Sequence, residues 1–180
     1  MQLLSARLKY IPITIELAQT IMKNPLAFYY KYQLPWNRSW PHNGLKAMLP
    51  FYVESLEENS NYLGFGPWII MDVNQERVIG DIGFKGVPDQ EGNVELGYHV
   101  IEAERNQGYA TEAVEKMCSW AFDDGKVKSV EAQCDKSNIP SQKVLINNGF
   151  AQTLSTRDMF TFKKVKQKKD KKNRESRKEI

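Results

Sequence analysis

The chain is predicted to fold as a mixed α/β domain, with about seven strands and about four helices in the order βααβββαβαββ. Three observations predict it. The stretch 94–116, VELGYHVIEAERNQGYATEAVEK, changes period halfway along. Residues 94–100 alternate as a strand does. From Ala110 onward, Ala113, Val114, Met117, Cys118, Ala121 and Phe122 recur at the spacing of one helix face. Upstream, two strand-like runs over 66–72 and 77–85 flank Val73-Asn74-Gln75-Glu76, which reads as a hairpin. Downstream, a strand over 128–135 follows the helix, so that strand–helix–strand unit should be a parallel, right-handed crossover.

The elements follow in order. Residues 3–13 (LLSARLKYIPI) read as one strand, with Pro12 at its end or on an edge. Thr14 is suited to cap a helix over 15–23, closed by Asn24-Pro25. The aromatic stretch that follows is broken by Pro35 and Pro41 and reads as a loop with at most a short helix. A helix over 45–58 carries Leu45, Met48, Leu49, Tyr52, Val53 and Leu56 on one side and ends at Asn59-Ser60-Asn61. After the hairpin, 86–93 has the residues of a turn and leads into the strand over 94–100. Following the strand over 128–135 come a short helix over 139–148, stopped by Gly149, and a closing hairpin of 150–155 and 159–165. The chain has no internal repeat.

Composition bounds the class. A chain of 180 residues suits one domain, over 1–165, with a sizeable core. Hydrophobic content of 41% and charged content of 26% are ordinary for a soluble globular protein. No apolar run reaches about 18 residues, so no membrane span is expected. The first residues lack a secretory apolar region. Cys118 and Cys134 make no disulfide framework and read as buried thiols, which fits a reducing cytoplasm. Cys and His are too sparse for a structural zinc site, and no metal is expected. The net charge of +3 is uneven: residues 163–180 hold ten Lys/Arg against three Asp/Glu, and the remainder holds 15 against 19, a net of −4. The tail over 166–180 reads as a solvated basic extension. Its sharper use would be contact with RNA or the ribosome through phosphates.

The turn between the strand and the central helix carries the chemistry. A loop that runs into a helix N-terminus has free backbone N–H groups and the positive end of the helix dipole, a natural site for phosphate. Gly108 lets a ligand approach the backbone, Ala110 keeps the next step narrow, and Arg105 adds charge at the rim. The plain alternative is an ordinary connection capped by Thr111 or a neighbour.

Arg105-x-x-Gly108-x-Ala110, after a strand and before a helix, resembles the acetyl-CoA pyrophosphate loop of the GNAT N-acetyltransferases. No Gly-Lys-Ser/Thr follows, as a P-loop would require, and the three glycines of a dinucleotide fingerprint are missing. A second block, Asn138-Ile139-Pro140-Ser141, then Val144-Leu145 and Gly149-Phe150, resembles the family's Asn-x-x-Ser/Ala…Gly-Phe block. Gly80-Asp81-Ile82-Gly83-Phe84 and Glu95-Leu96-Gly97-Tyr98 are similar to the branch of ribosomal-protein N-terminal acetyltransferases, RimJ and RimL. The resemblance covers 77–150 well and is thin before it.

This resemblance implies a central mixed, mostly antiparallel sheet whose fourth and fifth strands splay apart, with acetyl-CoA in the gap as cosubstrate. It implies that the backbone of Tyr98, His99 and Val100 pairs with the pantetheine arm. The loop of Arg105, Asn106, Gln107, Gly108, Tyr109, Ala110 and Thr111 would hold the pyrophosphate, and Asn138 and Ser141 would touch the pantetheine or its phosphate end. The closing hairpin often lies at a dimer edge in this family, so a homodimer is one expectation.

Acetyl transfer to an amine needs a base for the amine proton, a donor for the oxyanion and two substrates held together. Glu95, Gly97 and His99 share the strand face opposite the apolar Val94, Leu96, Tyr98 and Val100. Glu95 is the first candidate base, against a plain surface carboxylate. His99 has a suitable intrinsic pKa, against a packing role. Asp81 and Glu131 come after them. Leu145 stands where many family members have a tyrosine that protonates the leaving thiolate, so Ser141 or water takes that place, or the thiolate leaves unassisted. The acceptor site is expected from the early helices and the aromatic loop, where Tyr29, Tyr30, Trp36 and Trp40 either line it or form satellite core. The expected function is acetyl-CoA-dependent N-acetyl transfer to a primary amine, either a protein N-terminus or a small molecule. The rival expectation is a non-catalytic CoA-binding or RNA/ribosome-associated module.

Overall fold

The structure, a computed structural model, describes residues 1–167. From residue 168 on, the basic tail expected over 166–180 lies outside the described residues. The chain runs β1 (Leu3–Leu4), β2 (Leu8–Pro12), α1 (Ile15–Lys23), α2 (Pro25–Lys31), α3 (Asn43–Glu58), β3 (Pro67–Asp72), β4 (Arg77–Phe84), β5 (Asn93–Val100), α4 (Tyr109–Asp123), β6 (Ser129–Asp135), α5 (Ile139–Asn147), β7 (Ala151–Ser155) and β8 (Met159–Val165). Short 3₁₀ turns lie at Ser60–Tyr62 and Glu102–Glu104. Eight strands form one open sheet in the order β1-β2-β3-β4-β5-β6-β8-β7. All neighbours are antiparallel except β5 and β6, the strands on either side of the α4 crossover.

The expected order holds from α3 onward, with one more strand and one more helix before it. The single strand expected over 3–13 is a hairpin, in which Leu3 faces Tyr10 and Leu4 faces Lys9. The turn is pinned from a distance. Ser5 Oγ donates to Glu112 Oε1 at 2.7 Å, and the Arg7 backbone N–H donates to the same oxygen at 2.8 Å. The aromatic stretch does contain a helix. Asn24 Oδ1 caps the N–H of Leu26 at 3.1 Å, and Pro25 takes the first position, where its missing N–H is no loss. Helix α3 begins at Asn43, ahead of the expected residue 45, because His42 Nδ1 accepts the N–H groups of Gly44 and Leu45.

Helices cover both faces of the sheet. The α1–α3 layer packs on Ile69, Met71 and Val78. The α4 and α5 layer packs on Trp68, Ile70, Leu96 and Val130. Strand β3 is buried on both faces along its whole length, so its sequence is a continuous apolar run without alternation. Strand β5 does alternate: Val94, Leu96 and Val100 turn to the α4 core, which leaves Glu95, Gly97 and His99 for the α1–α3 side. Among the described residues no helix is long and apolar enough to cross a membrane.

The feature that positions the site is the failure of one strand pair. Strands β5 and β6 pair only at Asn93–Ser129, Val94–Val130 and Glu95–Glu131. Beyond that rung β6 stays with β8, while Leu96 to Val100 have no strand on that side. The opening is therefore floored by free β5 backbone and bounded by α4 and α5.

Candidate active site

At the end of β5 the chain turns through the 3₁₀ segment and reaches α4. Gly108 is the N-cap, at φ 79°, and no side chain caps the helix. The N–H groups of its first turn are thus left for a ligand. Asn106 also lies in the left-handed region, at φ 61°. Thr111 is a helical residue two positions past Tyr109, so a Thr111 cap is corrected to an uncapped Gly108 start. Tyr109 is buried, and its hydroxyl donates to Asp72 Oδ2 at 2.7 Å, so it offers the loop its backbone alone. Arg105 Nε donates to the Val100 carbonyl at 3.1 Å and ties the loop to the strand end.

A residue absent from the sequence reading completes this end. Arg7, from the β1–β2 turn, donates through Nη1 to the Gln107 carbonyl at 2.9 Å. Its Nε pairs with Glu112 at 2.8 Å, and its guanidinium lies over the Tyr109 ring at 4.6 Å. A Cβ at Gly108 would meet Arg7 Nη2 at 3.5 Å. Donor groups, a fixed guanidinium and a bare glycine suit a pyrophosphate.

On the α4 face of β5, the Tyr98 hydroxyl lies 2.8 Å from Ser141 Oγ. Burial pushes its pKa up to about 12, so the phenol keeps its proton. Asn138 Oδ1 caps the Ser141 N–H at 3.2 Å, which fixes the first turn of α5 beside the gap. Leu145 is fully buried in the α4 core and donates nothing. Tyr98 and the Asn138–Ser141 block, which the sequence singled out in two separate stretches, come together.

On the opposite face, Glu95 and Glu131 stand at the last paired rung. Glu95 is ion-paired with Lys85, and Glu131 with Lys163 at 2.9 Å. His99 lies one strand from Asp81, its register partner on β4. The His42 ring stacks on His99 with centroids 4.2 Å apart. Asp81 Oδ2 accepts the Trp40 indole N–H at 2.8 Å, and Asp81 Oδ1 lies 3.3 Å from His42 Nε2. Burial pushes the His99 pKa below its ordinary value, and charge on His42 or Arg105 acts the same way, against the pull of Asp81. Neutral His99 therefore has a free lone pair.

His42, Asp81 and His99 also form a group whose potential ligand atoms lie within 4.8 Å of one another. The tautomer of His42 speaks against a metal there. Its Nδ1 accepts two backbone N–H groups, so its proton sits on Nε2 and points at Asp81. A pocket opens over these residues, walled by Leu45, Met48, Pro67 and Phe84. A Cβ on Gly97 would meet nothing within 4 Å, so that glycine contributes open space. Of the four aromatic candidates, Tyr29 and Trp40 are core, and Tyr30 is 89% exposed. Trp36 packs edge-on against Tyr29. Only Trp40 reaches the pocket, through its indole N–H. His42 was missed by sequence reasoning; its place just before a glycine and an apolar helical run was the available signal.

The chain matches the family model described as acetyltransferase (GNAT) domain over residues 7–151. It is 34% identical over 114 residues to the uncharacterized N-acetyltransferase YjdG of Bacillus subtilis, covering 63% of this chain and 68% of that protein. Among solved structures, a ribosomal-protein-S5-alanine acetyltransferase from Vibrio fischeri aligns with a TM-score of 0.63 at 20% identity, over 92% of this chain and 96% of that one. RimL, a ribosomal alpha-N-protein acetyltransferase in complex with coenzyme A, aligns with a TM-score of 0.64 at 14% identity, over 89% of this chain and 95% of that one. These two likenesses are of fold.

Proposed function

Because the chain belongs to the GNAT acetyltransferase family and is an acetyltransferase, we propose that it moves the acetyl group of acetyl-CoA to a primary amine by direct attack. The observation that carries this is the parting of β5 from β6 beside the uncapped start of α4. In this reading Tyr98, His99 and Val100 offer backbone to the pantetheine arm. The loop from Arg105 to Thr111, with Arg7 behind it, holds the pyrophosphate. Acetyl-CoA supplies the activated acyl group; the protein aligns it and manages two protons.

His99 takes the base role, since it is neutral, half-buried and open to the acceptor pocket. Glu95, held by Lys85, shapes the rim. Ser141 meets the thiolate, and the Tyr98 hydroxyl behind it restores its proton. A thiol of pKa about 8.5 needs little help to leave, which makes this arrangement sufficient without a tyrosine at Leu145. The acceptor in this reading is a protein N-terminus, as the names of the Vibrio fischeri enzyme and RimL suggest for those proteins, with a small amine as the other arm of the test. The setting is the cytoplasm, where two buried free thiols stay reduced. A homodimer would form at the fully exposed edge strand β7.

Thermal unfolding with and without acetyl-CoA tests the cofactor site. Ligand at ~100 times its dissociation constant should add about 2.7 kcal/mol of stability. Thiol release against N-terminal peptides and small amines then sorts the acceptor. No thermal shift would remove the reading.

A further inference from the structure

We propose that Asp81, gripped by Trp40 and His42, docks the ammonium group of the acceptor, and that His99 beside it takes the first proton. This rests on the acetyltransferase reading above. Asp81 is a buried carboxylate, 8% exposed, at the floor of a pocket. Both of its side-chain donors are ring N–H groups, and neither is a lysine or an arginine. Trp40 gives an indole N–H, and His42, fixed by its two backbone donors, gives Nε2–H. The nearby cations are occupied: Lys85 is paired with Glu95, and Arg105 is bonded to the Val100 carbonyl. A buried anion without a cation is costly, and the open pocket lets an ammonium supply one. Each carboxylate oxygen keeps a spare lone pair for it. His99 lines the same pocket; its Nδ1 is buried with no hydrogen bond among the described residues, which leaves Nε2 as the ring nitrogen the pocket can reach. The apolar walls from Leu45 and Met48 suit a singly charged amine with a small apolar neighbour, and among the described residues no second carboxylate lines the pocket for a polycation.

The protons balance as follows. The docked ammonium gives one proton to the free nitrogen of His99, and Asp81 steadies the imidazolium. The amine lone pair bonds to the thioester carbonyl carbon, and the C–S bond breaks as its pair leaves on sulfur. The nitrogen loses its second proton as the amide forms. One of the two protons neutralises the thiolate and the other reaches solvent, so ammonium and thioester give amide, thiol and one proton.

The chain has two histidines, and both are in this pocket, so their ring signals in NMR report on it alone. The probe is alaninamide, added to the CoA complex. It should shift both histidine signals in the wild type and neither in Asp81→Asn. With acetyl-CoA, Asp81→Asn should lose about tenfold and His99→Gln about 100-fold in kcat/KM for alaninamide. The acidic limb of the wild-type pH profile should vanish in His99→Gln. Acetyl-CoA affinity, by calorimetry, should stay within about twofold in both variants. Gly97→Leu, which fills the pocket while leaving the Asp81 carboxylate in the chain, should also erase the alaninamide shifts while acetyl-CoA still binds; it serves where Asp81→Asn fails to fold. Variants that bind acetyl-CoA and keep wild-type kcat/KM would overturn the proposal, as would histidine signals unmoved by alaninamide. Failure of the wild type to bind acetyl-CoA would instead remove the reading beneath it.

Discussion

Leu145 and Gly108 stand at the two ends of the proposed cosubstrate site, and each argues through what it lacks. Leu145 has no proton to give, and in the proposed mechanism the Ser141–Tyr98 pair, 2.8 Å apart, stands in its place. Ser141→Ala or Tyr98→Phe should lower kcat on the order of tenfold while leaving acetyl-CoA affinity intact, because the lost contact matters only as charge leaves on sulfur. Equal rates in stopped-flow thiol release would remove the pair from the mechanism. Gly108 has no Cβ and holds φ 79°. Gly108→Val should strain that turn and abolish acetyl-CoA binding in calorimetry while circular dichroism stays native. Both residues stand out in the sequence, but only the structure adds the half-buried Tyr98 phenol beside Ser141.

The α4 element owes its placement to Glu112 as much as to its apolar face. Burial alone would raise the Glu112 pKa, yet the donors of Ser5 and Arg7 outweigh it and hold the carboxylate below its ordinary range. Its contribution to stability is therefore complete above the ordinary carboxylate pKa and fades as pH falls through the lower folded value. Glu112→Gln keeps the oxygen that Ser5 and Arg7 address but removes the charge. It should flatten the acid limb of the stability curve in urea titrations between neutral and low pH, and an unchanged limb would place the acid sensitivity elsewhere. This contact also explains the corrected N-terminus. Residues 3–13 have the composition of one strand, but a turn is made at Ser5 to Arg7 because a helix more than a hundred residues later supplies its acceptor.

The described residues form one sheet with a helical layer on each face, and within it β5 and β6 part after three rungs. We propose that residues 1–165 form one domain, with the tail outside the catalytic unit. A chain ending at residue 165 should keep the full acetyl-CoA thermal shift and the thiol release of the intact protein. If RNA binding at low salt is found and vanishes with the tail, falling steeply as salt rises, the basic extension serves a second partner. Loss of the acetyl-CoA shift on truncation would refute the division.

Much of this was already determined by local pattern. Period and capping located α1, α3, α4 and the β3–β4 hairpin, because those signals act within a few residues. The Gly108 turn and the Asn138–Ser141 block, which we propose as the cosubstrate site, stood out for the same reason: each is a contiguous stretch. The pocket over Asp81 and His99 was not legible. Trp40 and Asp81 lie 41 positions apart, and Arg7 and Gln107 lie 100 apart, so their meeting depends on which strands pair and which faces pack. Only the tertiary structure decided that Asp81 is buried with no lysine or arginine among the described residues beside it, and that His99 faces it, because burial and charge pairing are properties of the packed chain.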